Sequence, residues 1–190
     1  HFFMQHEARK DPAADFLLRD VARATSSVPT YFRVAQAING LGEPRIFIDG
    51  GVFANNPALC AYGEARAMHP ELHPRDTVFL SLGTGIKPMN LDYEQASTLR
   101  KLGWAEPLLH VMVSGVSENT DTALRKLFTA RDVSDQYLRI DPPFNGADAP
   151  SALMDDVSPE NLERLRNVAH RAFDENQPAI ERLVDKLLQD

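Results

Sequence analysis

Asp49 stands at the end of the short apolar run Arg45-Ile46-Phe47-Ile48 and is followed by Gly50 and Gly51. A strand would hold such a carboxylate rigidly. Two glycines would let the chain turn away with positive φ and close backbone approach, leaving the carboxylate facing a cleft. A carboxylate placed there acts as a general base if burial raises its pKa toward neutrality. An aspartate before two glycines also closes plain turns, so the tripeptide by itself leaves both readings open. A second glycine turn, Gly83-Thr84-Gly85, follows the apolar run Thr77 to Leu82. Backbone N–H groups in glycine turns bind anions, so the two turns also admit a nucleotide-binding, actin-like reading.

The other reactive residue types are less persuasive. Cys60 is the only cysteine. It lies inside a helical stretch, where a small buried apolar role is expected, and no internal disulfide can form. His69 and His73 have the spacing of a helical metal pair. Pro70 and Pro74 follow them, however, and break a regular helix across both. Ser81 reads as strand and Ser114 as helix surface. No metal or cofactor is implied.

These residues need elements to position them. His1 to Gln5 reads as a buried strand. Asp11-Pro12 reads as a helix entry, with Phe16, Leu17, Val21 and Ala24 on one face. Arg45 to Asp49 is expected to be a short buried strand. Asn56 is expected to cap a helix with Pro57 in its first position, ending near His69-Pro70. Thr77 to Leu82 is a second buried strand, and Gln136 to Ile140 alternates like a third, stopped by Asp141-Pro142-Pro143. Helices are expected near 108–116 and 122–128. Another should start at Ser158-Pro159, be interrupted at Asn176-Gln177-Pro178, and resume with Ile180, Leu183, Val184, Leu187 and Leu188 inward. Short apolar strands alternating with helices predict an α/β fold with a largely parallel sheet, and sites in such sheets form at the carboxyl ends of strands.

Composition narrows the function. The chain has 190 residues, enough for one domain with a real core. Hydrophobic residues at 43% and charged residues at 25% are ordinary for a globular protein. A net charge of −7 argues against nucleic acid, which needs a basic face, and gives no attraction to an anionic membrane. No apolar run approaches the roughly 20 residues of a membrane helix. The first residues lack a secretory pattern, so a cytoplasmic protein is expected.

Four blocks carry a resemblance. Ala22-Arg23-Ala24-Thr25-Ser26-Ser27-Val28-Pro29-Thr30-Tyr31-Phe32 resembles the ARATSAAPTYF signature of patatin-like proteins. Ile48-Asp49-Gly50-Gly51-Val52-Phe53-Ala54-Asn55-Asn56-Pro57 resembles the DGG block of that family, and Leu80-Ser81-Leu82-Gly83-Thr84-Gly85 its SLGTG strand. Tyr137 to Pro143 looks like the bacterial members. The blocks occur in family order across residues 11 to 143, with a helical tail over 144–190.

The resemblance implies a three-layer α/β fold with a largely parallel sheet flanked by helices, present here as the C-terminal part of one domain. It implies a lipid acyl hydrolase acting on phospholipids or other acyl esters, with transient contact at a membrane surface. It also implies a Ser–Asp dyad in which Asp49 is the catalytic aspartate and Gly50 and Gly51 complete its motif. The serine of such enzymes sits on a GxSxG elbow, and an upstream glycine-rich loop supplies the oxyanion hole. Here the sequence departs from the family. Its ten glycines include no pair four apart, so the elbow is absent. The chain is therefore expected to be inactive alone, its nucleophile lying on a missing N-terminal half. Residues 86 to 130, the least family-like, are expected to cap the site. A patatin-fold binding module without chemistry is the other reading.

Overall fold

The computed structural model of the chain describes residues 1–87, 89, 91–100, 103–151 and 153–188. It divides into two compact units, His1–Asn55 and Asn56–Asp190.

The first unit is built around a hairpin. Strands β1 (Ala35–Ile38) and β2 (Pro44–Phe47) pair antiparallel, with Ala35 opposite Phe47 and Ile38 opposite Pro44. The side chain of Asn39 makes the turn, its Oδ1 accepting the backbone N–H groups of Leu41 (3.1 Å) and Glu43 (2.9 Å). Gly42 completes it at φ 81°, a conformation glycine adopts without steric cost. Ala35 and Ala37 are buried, while Ile38 and Ile46 point outward and are exposed. The buried strand expected at 45–49 is instead the exposed edge strand Pro44–Phe47, in which only Phe47 is partly buried. β1 was missed because Ala35-Gln36-Ala37-Ile38 alternates in burial but not in polarity, with apolar Ile38 on the exposed face.

Two further expectations fail in this unit. Residues 1–4 form no strand, and α1 spans Gln5–Ala8. Phe3 instead packs its ring on Phe16 (centroids 5.4 Å) and Phe47 (5.2 Å). The helix opened by Asp11 stops after one turn at Pro12–Ala14, with Asp11 Oδ1 accepting from Ala13 N–H at 2.8 Å. Phe16 is then extended and bridges to Asn39, and α2 begins only at Leu18 and ends at Ala24. The aromatic contacts and the bridge outweigh local helix propensity, which is a weak prior. A short helix α3 (Gly51–Ala54) ends the unit.

In the second unit, α4 (Ala58–Met68) begins after Asn56, whose Oδ1 accepts the Ala58 N–H at 3.2 Å. The expected cap is displaced by one residue: Pro57 takes the N-cap position rather than the first helical one, and Asn56 precedes it, holding the Ala58 N–H. α4 stops before His69, as predicted. β3 (Phe79–Leu82) and β4 (Tyr137–Ile140) pair in parallel, Phe79 opposite Tyr137 and Leu82 opposite Ile140. The crossover between them contains α5 (Tyr93–Thr98) and α6 (Ala105–Thr129). The two helical stretches expected near 108–116 and 122–128 are one helix. They belong to the region expected to cap the site, of which positions 88, 90, 101 and 102 lie outside the described residues. The described strands therefore form one parallel pair and one antiparallel hairpin rather than a largely parallel sheet. The link from Ile38 to Pro44 is too short for a parallel crossover, which takes a dozen residues or more.

Ala58, Tyr62, Leu124, Phe128 and Tyr137 form the core here, with Phe79, Leu127 and Val133 packed against it. Phe128 is fully buried between Tyr62 (5.9 Å) and Tyr137 (5.7 Å). α7 (Pro159–Leu187) starts as predicted, Ser158 Oγ accepting from Asn161 N–H at 3.3 Å. It runs unbroken through Pro178, contrary to expectation. An interior proline costs about 3 kcal/mol. Anchors on the carboxyl side offset that cost: Leu183 is buried and Lys186 Nζ pairs with Asp135 at 2.8 Å, which lowers the pKa of Asp135.

The packing generates two expectations. Phe128→Ala should lower unfolding stability by about 3–5 kcal/mol in a urea titration, the range for emptying an aromatic site. Tyr137 donates its hydroxyl to Asp121 at 2.8 Å. Burial first, and the Asp121 carboxylate second, push its pKa up to about 12 from 10.0. A raised folded-state pKa stabilises the protonated form. Its contribution is complete below pH 10 and is lost as pH rises toward about 12. Thermal melts of wild type should fall across that window beyond the general alkaline loss, and Tyr137→Phe should remove this component.

Candidate functional site

Asp49 lies two residues past β2, and its backbone N–H donates to the Ser27 carbonyl at 3.0 Å. That bond ties the end of the strand to the loop leaving α2. The loop is itself closed on α2: Ser26 Oγ donates to the Ala22 carbonyl (2.6 Å) and Ser27 Oγ to the Arg23 carbonyl (2.7 Å). Ser27 is buried at 3% exposure. Thr30, in the same loop, has φ 77°. A β-branched residue held there stores about 1–3 kcal/mol of strain, which persists only where surroundings impose it. The two blocks singled out in the sequence, Ala22 to Phe32 and Ile48 to Pro57, thus meet at Asp49.

The carboxylate of Asp49 is half-buried. Its Oδ1 accepts the Gly51 N–H at 2.6 Å. Among the described residues its other oxygen accepts no hydrogen bond, which leaves a lone pair for a hydroxyl proton. Asp49, Gly50 and Gly51 are therefore brought together in one turn. The glycines serve it differently from the expectation. Gly50 has φ −67°, and Gly51 opens α3, so neither uses positive φ. Gly51 leaves room for the carboxylate, since a Cβ there would lie 2.9 Å from Asp49 Oδ1 and 3.5 Å from Asn55 Oδ1 and would push the carboxylate aside.

The second glycine turn belongs to the second unit and is clamped by charge. Asp141 Oδ1 accepts the Gly85 N–H at 3.0 Å, and its Oδ2 pairs with Arg139 at 2.6 Å. Arg139 also donates to Ser81 Oγ (2.9 Å) and Ser117 Oγ (3.3 Å). Ser81 Oγ in turn donates to Asn56 Oδ1 (3.3 Å), and Asn56 Nδ2 donates to the Ser117 carbonyl (3.4 Å). Gly83 and Gly85 are both needed for space. A Cβ on Gly83 would overlap the Asp141 carboxylate, and one on Gly85 would overlap the Phe144 ring. Gly85 is also at φ 97°. This network was missed in the sequence. The available signal was Arg139 and Asp141 two apart on a strand, hence on one face, with opposite charges.

Ser81 is a strand residue, as expected, and serves the network. Ser114 lies on α6 with its Oγ donated to the His110 carbonyl at 2.7 Å. His69 follows the end of α4, while His73 Nδ1 accepts from Arg75 N–H and caps the separate turn Pro74–Asp76. Cys60 is half-buried on α4.

A family model described as patatin-like phospholipase matches residues 3–62, the stretch that contains both blocks meeting at Asp49. The chain is similar to patatin-like proteins, both by this family model and by relatives at about 30% identity over most of its length. It is 31% identical over 189 residues to Patatin-like protein 2 of Arabidopsis thaliana, a match covering 86% of this chain and 45% of that relative. It is 29% identical over 181 residues to Patatin-like protein 8 of the same plant, covering 92% and 34%. It is also 28% identical over 182 residues to a Solanum tuberosum protein named Probable inactive patatin-3-Kuras 1, covering 87% and 48%. The chain spans about half the length of these relatives or less.

Arg139 and Asp141 expose 9% and 12% of their side chains. Removing one partner leaves the other charge buried and unpaired. Asp141→Ala should therefore cost about 3–5 kcal/mol of unfolding free energy. The double variant R139M/D141L should lose less than Asp141→Ala alone in the same denaturant titration.

Proposed function

We propose that this chain is the C-terminal half of one patatin-like domain and supplies the general base of a serine lipid acyl hydrolase. The observation that carries this reading is the state of Asp49. One carboxylate oxygen is fixed on Gly51 N–H and the other is free, within the stretch matched by the family model. In the complete protein the free oxygen takes the proton of a serine hydroxyl as that oxygen attacks an acyl-ester carbonyl. The tetrahedral intermediate collapses, the alcohol leaves with a proton returned by Asp49, and an acyl-enzyme remains. Water, deprotonated by the same carboxylate, releases the fatty acid.

The serine would come from an N-terminal half carrying GxSxG, since no two glycines of this chain are four apart. Exposed apolar faces support such a complement. Ile38 and Ile46 are 58% and 72% exposed on the outer face of the hairpin, and Leu82 is 67% exposed on β3. Strands and helices added there would extend the parallel pair toward the three-layer, largely parallel sheet of the family. The substrate is a phospholipid or other acyl ester, met by transient contact with a membrane surface from the cytoplasm. No described helix is long and apolar enough to cross a membrane. The relative named as probably inactive favours a second reading, a patatin fold kept for binding after its chemistry was lost.

The test is hydrolysis of a fluorogenic acyl ester and of phospholipid vesicles by the complete protein. Asp49→Asn should reduce kcat by at least about 10²-fold, and the present chain alone should show no turnover. Wild-type rates with asparagine at this position would refute the role of Asp49. No activity in the intact wild-type protein would favour the binding reading.

A further inference from the structure

The chain contains two Asn-Gly pairs, Asn39-Gly40 and Asn145-Gly146, and the fold treats them oppositely. An asparagine before glycine is open to attack on its side-chain amide by the next backbone nitrogen, because glycine has no side chain to obstruct the approach. Asn39 is 4% exposed and fully engaged. Its Nδ2 donates to the Ala13 carbonyl and to Glu43, and its Oδ1 accepts the Leu41 and Glu43 N–H groups. The Gly40 nitrogen is itself bonded to the carbonyls of Pro12 and Asp15, both at 2.9 Å. Neither the electrophile nor the nucleophile of that pair is available without opening the hairpin turn.

Asn145 and Gly146 are both exposed. Among the described residues the Asn145 amide and the Gly146 nitrogen make no hydrogen bond. Gly146 sits at φ 84° in a bend whose neighbours leave it open space. The pair lines an open depression with Lys87, Asp156 and Arg164, so water reaches it.

We propose that Asn145 is a site of spontaneous, backbone-assisted deamidation, and that Asn39 is protected from the same chemistry by the fold. The deprotonated Gly146 nitrogen attacks Asn145 Cγ. The bond from Cγ to the side-chain nitrogen breaks, and that nitrogen leaves as ammonia. Water then opens the resulting five-membered imide at either carbonyl, yielding aspartate or isoaspartate. No oxidant or cofactor takes part. The product carries one more negative charge than the −7 of the starting chain, placed beside Lys87 and Arg164. The isoaspartate form also lengthens the main chain directly after Phe144, the residue whose ring covers Gly85.

The experiment is a time course of the folded chain in mildly alkaline buffer at body temperature, with a parallel sample in concentrated urea. Trypsin separates the two sites, cutting after Arg33 and Arg45 around Asn39, and after Arg139 and Arg164 around Asn145. Tandem mass spectrometry then locates a gain of about 1 Da, and methylation by an isoaspartyl methyltransferase marks the isoaspartate product. In the folded chain Asn145 should convert at least about tenfold faster than Asn39, because Asn39 reacts only through local opening. In urea the two rates should converge. Asn145→Gln should remove the labelled species while leaving the unfolding midpoint unchanged. Equal rates in the folded chain would overturn the proposal. So would an Asn145 rate no faster than that of asparagines lacking a following glycine, or labelling of this loop that persists in Asn145→Gln.

Discussion

The second unit depends on one buried ion pair. Arg139 and Asp141 sit two apart at the end of β4, and each loses most of its water on folding. Taking two charges out of water is expensive, and only good geometry with further hydrogen bonds repays it. The surroundings supply both. Asp141 is held by Arg139 and by the Gly85 N–H, while Arg139 also donates to Ser81 and Ser117. Through Ser81 the chain of bonds reaches Asn56, which starts α4. A single charged pair thereby sets the register of β3 and β4, the shape of the Gly83–Gly85 turn and the entry of a helix.

Asp49 in the first unit is constrained more lightly. It relies on backbone bonds, one from its own N–H to Ser27 and one from Gly51 N–H to its side chain. Charge-assisted bonds of this kind are short and directional. They orient the carboxylate without using all of its acceptor capacity. Asp11 holds Ala13 N–H in the same way, so what sets Asp49 apart is its place between the two sequence blocks and the bond from its N–H to Ser27. Gly51, two residues on, is crowded by the carboxylate rather than chosen for backbone freedom, whereas Gly50 has open space around it.

Similarity to patatin-like proteins runs along most of the chain. Relatives at about 30% identity are matched over most of this chain but over half or less of their own length. The apolar strand residues Ile46 and Leu82 are open to solvent.

Composition, charge and four ordered blocks determined the similarity to patatin-like proteins, the α/β class and the identity of Asp49, Gly50 and Gly51 as the residues to watch. They did so because blocks of ten residues in fixed order are specific, and because a helix start such as Ser158-Pro159 depends on local chemistry. The tertiary structure decided everything that rests on distant partners. It extended Phe16 where propensity favoured helix, because three aromatic rings and a bridge to Asn39 hold it. It carried α7 through Pro178, because Leu183 and Lys186 are anchored beyond the proline. It also brought Arg139 within reach of Ser81 and Ser117, 58 and 22 residues away along the chain. Periodicity and capping act over a few residues, whereas burial and hydrogen bonding act through space.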